Sequence, residues 1–240
     1  MKILITNDDG IRASQMRPLA EWARKLGEVT VVAPKFEQSG KSQGIELHRA
    51  FEVKPYDMGE GIRAMWVDST PADCIRYAVF GLKEHFDLVI SGVNRGYNMG
   101  TDIMYSGTAG AVFESVSMGM QAVALSTTPE YYDHVAEHLD QVFDFIFENR
   151  LLELNDAYNV NIPPHGKEFR ITRQGGHYYS DDFIPEGEDH YRAKGKCIYQ
   201  DQHDDTLDSD AVNHGYISVM PMTICRANMD VFRTLKERGL

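Results

Sequence analysis

The 240-residue chain is 42% apolar and 25% charged, the balance of a globular protein able to bury a sizeable core. Its formal net charge of −12 argues against a phosphate-tracking nucleic-acid binder, which needs a basic face; a small anionic ligand remains open if a local cation supplies the charge. No apolar run approaches the ~20 residues of a membrane span, no signal-peptide pattern is visible at "KILIT", and Cys74, Cys197 and Cys225 lack C-x-x-C spacing, so all three are expected as packing residues in a reduced, cytoplasmic setting.

Residues 2–6 predict a short buried strand. Ser14 is placed to cap a helix running to about Leu26, with Leu19, Trp22, Ala23 and Leu26 inward and Gly27 as its αL cap. "EVTVVAP" reads as a second buried strand, and this β-α-β opening without hairpin signals implies a parallel pair joined by a right-handed crossover. A polar loop covers 35–44. "IELHRAFEVKPY" and "GIRAMWV" read as an inserted pair of strands. Thr70-Pro71 opens a helix through Ile75, Ala78, Val79 and Leu82. "DLVISG" and "QAVALS" are the third and fourth core strands with a helix between them, 130–150 is another helix, and "YNVNIP" is a fifth strand. Beyond Pro163 come short extended pieces, "EFRITRQ" and "KGKCIYQ", then the apolar run "GYISVMPM" and a helix near 227–238. The pattern is one α/β domain, a mostly parallel, doubly wound sheet with flanking helices over about 1–162. A hairpin-and-arm extension over about 163–240 serves either subunit contacts or solvent-exposed loop.

Ligands of an open parallel sheet bind beyond the carboxyl ends of its strands, near the switch in strand order. The first strand ends in Asn7, Asp8, Asp9 and Gly10; the second leads to Ser39; the third ends in "SGVNRGYNMG", with Asn94 and Asn98. N-D-D-G alone is a turn signature. Three strand ends that bring small oxygen donors to one rim favour a metal. Asp8 and Asp9 face opposite ways on a regular strand, yet they can share an ion where the backbone turns at Gly10. With the Ser39 hydroxyl and the Asn94 amide oxygen they form a hard, all-oxygen set. It suits one divalent cation per subunit, Mg²⁺ or Mn²⁺, better than zinc. Ser106, Gly107 and Thr108 open a predicted helix, where free N–H groups, hydroxyls and the dipole can hold phosphate. They read equally well as an N-cap with small residues for close packing. A Walker loop and a G-x-G-x-x-G are both missing. His134 and His138 sit outside any H-E-x-x-H, and "DQHDDTLDSD" lacks the EF-hand glycine and reads as a solvated acidic loop. Tyr105 and the aromatics near 178–183 can stack a base or pack in a core or interface.

At these residues the sequence resembles the SurE (survival protein E) family of metal-dependent nucleotidases. The match runs in order through "ILITNDDGI", "VVAP" with "QSGKS", "DLVISGVNRGYNMG", "YSGTAGAVFES", "YNVNIP" and "SDAVNHGYISVMPM". The resemblance implies a Rossmann-like core with a swapped C-terminal arm, assembling as homodimers or homotetramers. It implies hydrolysis of nucleoside 5′-monophosphates, in some members also 3′-monophosphates and short polyphosphate. It puts metal-binding positions at Asp8, Asp9, Ser39 and Asn94, and phosphate contacts at Asn98, Ser106, Gly107 and Thr108. The sequence departs from the family at Gln15, where Gly is usual, and at Leu207, where Thr is common before Asp208. The expected chemistry is metal-assisted monoester hydrolysis, with Asp8 directing the nucleophile and Asp9 mainly binding metal; direct water attack and an aspartyl-phosphate both remain open. A phospho-receiver module also carries an acidic pair after its first strand, but its acceptor position reads Ser91-Gly92-Val93-Asn94 here. A nucleotide-binding module without turnover is the other rival. Neither a nucleic-acid polymer nor a membrane is expected as partner.

Overall fold

A computed structural model describes residues 1–166 and 168–240, and its apolar runs lie in strands. The strands are β1 (Lys2–Thr6), β2 (Glu28–Pro34), β3 (Val53–Pro55), β4 (Arg63–Val67), β5 (Leu88–Arg95), β6 (Gln121–Thr127), β7 (Ala157–Ile162), β8 (Phe169–Ile171), β9 (Tyr179–Pro185), β10 (Tyr191–Cys197) and β11 (Ile217–Pro221). The α-helices are α1 (Met16–Ala23), α2 (Pro71–Arg76), α3 (Gly107–Ser117), α4 (Leu139–Glu148), α5 (Leu151–Leu154), α6 (Asp208–Asn213) and α7 (Met229–Glu237). Nine strands share one sheet in the order β3-β4-β2-β1-β5-β6-β7-β11-β8; β9 and β10 form a separate antiparallel hairpin. Pairing is parallel except for β3 with β4 and β11 with β7.

Strand alternation sorts the core into two layers. Ile3, Ile5, Val31, Leu88 and Ile90 pack with Leu19 of α1 and Val142 and Phe143 of α4. Leu4, Val32 and Val89 pack on the other face with Ile75 of α2 and Val112 of α3. Burial on both faces explains why the central strands read as unbroken apolar runs. The sheet order sets the site. The chain moves outward from β1 through β2 to β4 and then returns to β5 on the opposite side of β1. The carboxyl ends of β1 and β5 therefore flank the topological switch point.

Several local expectations fail for identifiable reasons. Ser14 does not cap α1; its hydroxyl donates to Asp133 Oδ1 at 2.9 Å, and Gln15 occupies the cap position without a side-chain bond. Gly27 is not an αL cap. It is needed for close approach, since a Cβ there would lie 2.0 Å from the Met1 carbonyl oxygen. Residues 45–51 stay out of the sheet because the Glu46 carboxylate accepts from the His48 and Arg49 amides, and the Glu46 amide donates to Asp73. The helix expected over 130–150 divides into a 3₁₀ turn, Tyr132–His138, and α4. Only Cys74 is a packing residue; Cys197 and Cys225 are exposed.

One contact governs the loop between β2 and β3. A Cβ on Gly110 of α3 would sit 2.1 Å from the Ser42 carbonyl oxygen, so this loop rests directly on the helix backbone. Alanine favours a helix by about 1 kcal/mol over glycine, yet overpacking costs about 1–3 kcal/mol. Gly110→Ala is expected to destabilise the fold in urea titration; a stability equal to the parent's would mean that the loop yields freely.

Candidate active site

The turn after β1 is locked by its own side chain. Asn7 Oδ1 accepts from the Gly10 amide and Asn7 Nδ2 donates to the Gly10 carbonyl, both at 3.0 Å. Gly10 adopts φ +95°, which a side chain would strain. The turn re-aims the two aspartates. Asp8 is buried, and its Oδ1 accepts from the Thr108 hydroxyl at 2.5 Å. A Cβ on Gly107 would lie 2.9 Å from Asp8 Oδ2, so only glycine lets the start of α3 approach that carboxylate. Asp9 turns to the cleft, and its Oδ2 accepts from the Arg95 amide at 3.1 Å, tying the end of β1 to the end of β5. Burial raises the acid of Asp8, with the Thr108 hydroxyl and the Gly107 and Thr108 amides acting against it. Burial and then the Asp8 charge push Asp9 up to about 6, while the Arg95 amide opposes them.

Asn94 reaches the rim through an irregularity in β5. Ser91 pairs with Ala124 but Asn94 pairs with Ser126, so β5 spends one extra residue there. Such bulges re-aim side chains beside functional sites. Asn94 Nδ2 donates to the Gly96 carbonyl at 2.7 Å, and no hydrogen bond to its oxygen is formed among the described residues. Ser39 arrives on the loop after β2. That loop is held by Gln38 N to the Asp8 carbonyl at 2.7 Å, by Ser42 to the Met104 and Tyr105 carbonyls, and by Gln43 to the buried Glu114 at 2.8 Å. The Ser39 hydroxyl donates to Glu37 at 2.8 Å.

Asp9, Glu37, Ser39, Arg95, Tyr132 and Asp133 line one cleft of about 390 Å³. Three carboxylates face a single cation there, Arg95. The Tyr132 hydroxyl is buried on the Asp9 side of the cleft, and its acid is pushed up by burial first and then by the Asp9 charge. The donor chemistry fits a hard divalent cation. Carboxylates and the Ser39 hydroxyl line the cleft, with neither His nor Cys among its described lining residues; Asp8 and Asn94 do not line it but directly precede Asp9 and Arg95, which do.

Of the phosphate candidates, Ser106 caps α3, its Oγ accepting from the Ala109 amide at 3.0 Å. That cap was one of the two roles open in the sequence. Asn98 is clamped by β7: its amide donates to Asn161 Oδ1, and its carbonyl accepts from Asn159 and Asn161. Its Nδ2 donates to the Ser126 hydroxyl at 2.9 Å, leaving one amide hydrogen for a ligand. Sequence reasoning missed Glu37, Arg95, Tyr132 and Asp208. Arg95 was visible as the cation inside "SGVNRGYNMG"; Tyr132, on a 3₁₀ turn remote in sequence, gave no signal. "DQHDDTLDSD" is not simply a solvated loop either. Asp208 and Asp210 are fully buried: Asp208 accepts from the Gly100 and Gly175 amides of other segments, and Asp210 accepts from the Gln202 and Asp204 amides of the loop just before it.

A model of the family described as "Survival protein SurE" matches residues 3–181. The chain belongs to the SurE family. A protein of Thermosipho melanesiensis named 5′-nucleotidase SurE is 36% identical over 250 residues, spanning 99% of this chain and 97% of that one. A Thermoanaerobacter protein of the same name is 36% identical across 92% of each chain. The crystal structure of the SurE protein from Aquifex aeolicus superposes with a TM-score of 0.79 at 27% identity, covering both chains fully. That likeness spans the whole chain, beyond the residues 3–181 that the family model matches. Of the two departures from the family pattern, Gln15 is buried at the entry to α1, and Leu207 stands at the N-cap of α6 without a side-chain bond.

Proposed function

We propose that this chain is a metal-dependent phosphomonoesterase that releases phosphate from nucleoside 5′-monophosphates, with 3′-monophosphates and short polyphosphate as further substrates. The observation that carries the reading is the junction of β1 and β5: Asp9 and Arg95 are bonded through a backbone amide and share one cleft with Ser39. Similarity to relatives named 5′-nucleotidase supplies the substrate class. Asp8, Asp9, Ser39 and Asn94 would hold one Mg²⁺ or Mn²⁺. When bound, such an ion neutralises charge on the phosphoryl oxygens and lowers the pKa of water.

The chain's own groups do the rest. Asp8, fixed by Thr108, directs the nucleophile, and Asp9 mainly binds the cation. The remaining Asn98 amide hydrogen, the Ser106 hydroxyl and the amides of Gly107 and Thr108 hold phosphoryl oxygens at the positive end of α3. Arg95 supplies the local cation that a chain of net charge −12 needs to admit a dianion. The receiver alternative is disfavoured because Asn94, a neutral amide, occupies the place of its acceptor aspartate. Exposed Phe183 and Tyr191 on the hairpin, with Val231 and Phe232 on α7, support a homodimer or homotetramer that exchanges these segments as an arm.

The test is phosphate release from AMP, GMP and CMP with Mg²⁺ or Mn²⁺ against an EDTA control. Metal-dependent release is expected, and a chain that frees no phosphate from any of them ends the proposal. Arg95→Ala is expected to lower kcat/KM by about 10–100-fold, the scale of one charge-assisted contact to the substrate. An unchanged value would remove its side chain from the site.

A further inference from the structure

Asp201, His203 and His214 bring three ligand atoms within 4.8 Å of one another, on residues that do not line the catalytic cleft. Asp201 Oδ2 is the focus. His203 Nδ1 and His214 Nε2 both lie 3.0 Å from it, one from within the same loop and one from the end of α6. The other Asp201 oxygen, Oδ1, is engaged by the His203 amide at 2.8 Å. The other His214 nitrogen, Nδ1, lies 2.6 Å from Asp205 Oδ1. Buried Asp210 holds the loop in place by accepting from the Gln202 and Asp204 amides and the Tyr199 hydroxyl.

These contacts have the arrangement of a three-ligand transition-metal site. Metal bonds of about 2.0–2.1 Å in a tetrahedron separate neighbouring donors by roughly 3.3 Å; here each histidine nitrogen lies 3.0 Å from Asp201 Oδ2, and all three ligand atoms lie within 4.8 Å of one another. Two imidazoles and one carboxylate suit Zn²⁺, with water in the fourth position. Asp205 plays the outer carboxylate that fixes the tautomer of a metal-bound histidine and leaves Nε2 free for the ion. We propose that Asp201, His203 and His214 bind one Zn²⁺ ion, stapling the 201–205 loop to the C-terminal end of α6. Its donor set is softer than the oxygen set at the switch point, so the two places favour different ions.

The competing arrangement is a proton in place of the ion, with a charged His214 bridging Asp201 and Asp205. Calorimetric titration of the untagged full chain with Zn²⁺, in excess Mg²⁺, separates them. One Zn²⁺ per chain is expected. His203→Ala and His214→Ala each weaken that binding by more than about 100-fold, and Asp205→Asn by about 10–100-fold. The His203 side chain is 85% exposed, so its removal leaves the fold intact. Asp9→Asn retains the Zn²⁺ equivalent. Thermal melting should rise with Zn²⁺ in the parent and not in His203→Ala. The proposal is overturned if the parent binds no Zn²⁺, if His203→Ala binds it as tightly as the parent, or if Asp9→Asn alone abolishes it.

Discussion

Asp9→Asn is expected to lower metal-dependent turnover by about 10³-fold or more while leaving the metal-free fold at least as stable as the parent. The two halves of this result have one cause. Asp9 is placed where a negative charge is unwelcome to the protein alone: it is largely desolvated, next to Asp8 and within reach of the Glu37 charge, and its acid is pushed up to about 6. Asparagine keeps an oxygen for the Arg95 amide, matches the volume and carries no charge to desolvate. The unfavourable charge is therefore kept for a ligand. Added Mn²⁺ should raise the parent's melting temperature, by about 2.7 kcal/mol in stability at a hundredfold excess over Kd, and should leave Asp9→Asn unmoved. Melting curves with and without Mn²⁺, paired with phosphate-release assays, check both halves. A variant that loses activity together with metal-free stability would make Asp9 a structural residue. A variant that keeps activity would move the ion elsewhere.

The sheet was legible in sequence wherever burial on both faces made the signal strong. "KILIT", "EVTVVAP", "DLVISG", "QAVALS" and "YNVNIP" lie in β1, β2, β5, β6 and β7. Punctuation by tertiary contact was not legible. Ser14 has the chemistry of a cap, yet Asp133, far along the chain, takes its hydroxyl. Gly27 has the chemistry of a helix end, yet it is there to let Met1 pass. The candidate site followed a similar division. That the strand ends carrying Asp8, Asp9 and Asn94 are neighbours could be read, because topology alone pairs β1 with β5. Glu37 and Tyr132 depend on how a loop and a 3₁₀ turn fold over the rim, and no periodicity reports that; Arg95, at the end of β5, was visible but not singled out. Asp208 was hidden for another reason. An acidic run of five aspartates looks solvated, and nothing local says that two of them point inward.

That inward-pointing carboxylate sets the other large effect. Asp208 is fully buried at the start of α6 and accepts three backbone N–H groups at 2.8 Å: Gly100 on Oδ2, and Gly175 and Ser209 on Oδ1. Burial raises its acid, and these amides act in the opposite direction. Asp208→Ala strands the buried Gly100 and Ser209 amides and the half-buried Gly175 amide, and the expected loss is about 3–5 kcal/mol. Asp208→Asn should fall between the two, because either amide orientation turns an NH₂ group toward an N–H donor. The consequence reaches the site through the 3₁₀ turn Gly100–Tyr105, which joins Asn98 to Ser106. Thr101 N donates to the Gly176 carbonyl, and Asp102 accepts from the Tyr178 and Tyr179 amides, so the turn is tied to residues 176–179, and Asp208 joins the two through Gly100 and Gly175. Releasing that anchor should displace the Ser106–Thr108 helix start from Asp8. Kinetics run well below the variant's melting temperature should therefore show a fall in kcat/KM of about 10–100-fold beyond any loss of folded protein. Urea titration gives the stability half. A cost below about 1 kcal/mol would mean that the three amides find other acceptors. Full activity in the folded fraction would show that the turn keeps its place without Asp208, and that the candidate phosphate contacts are held by β7 and α3 alone.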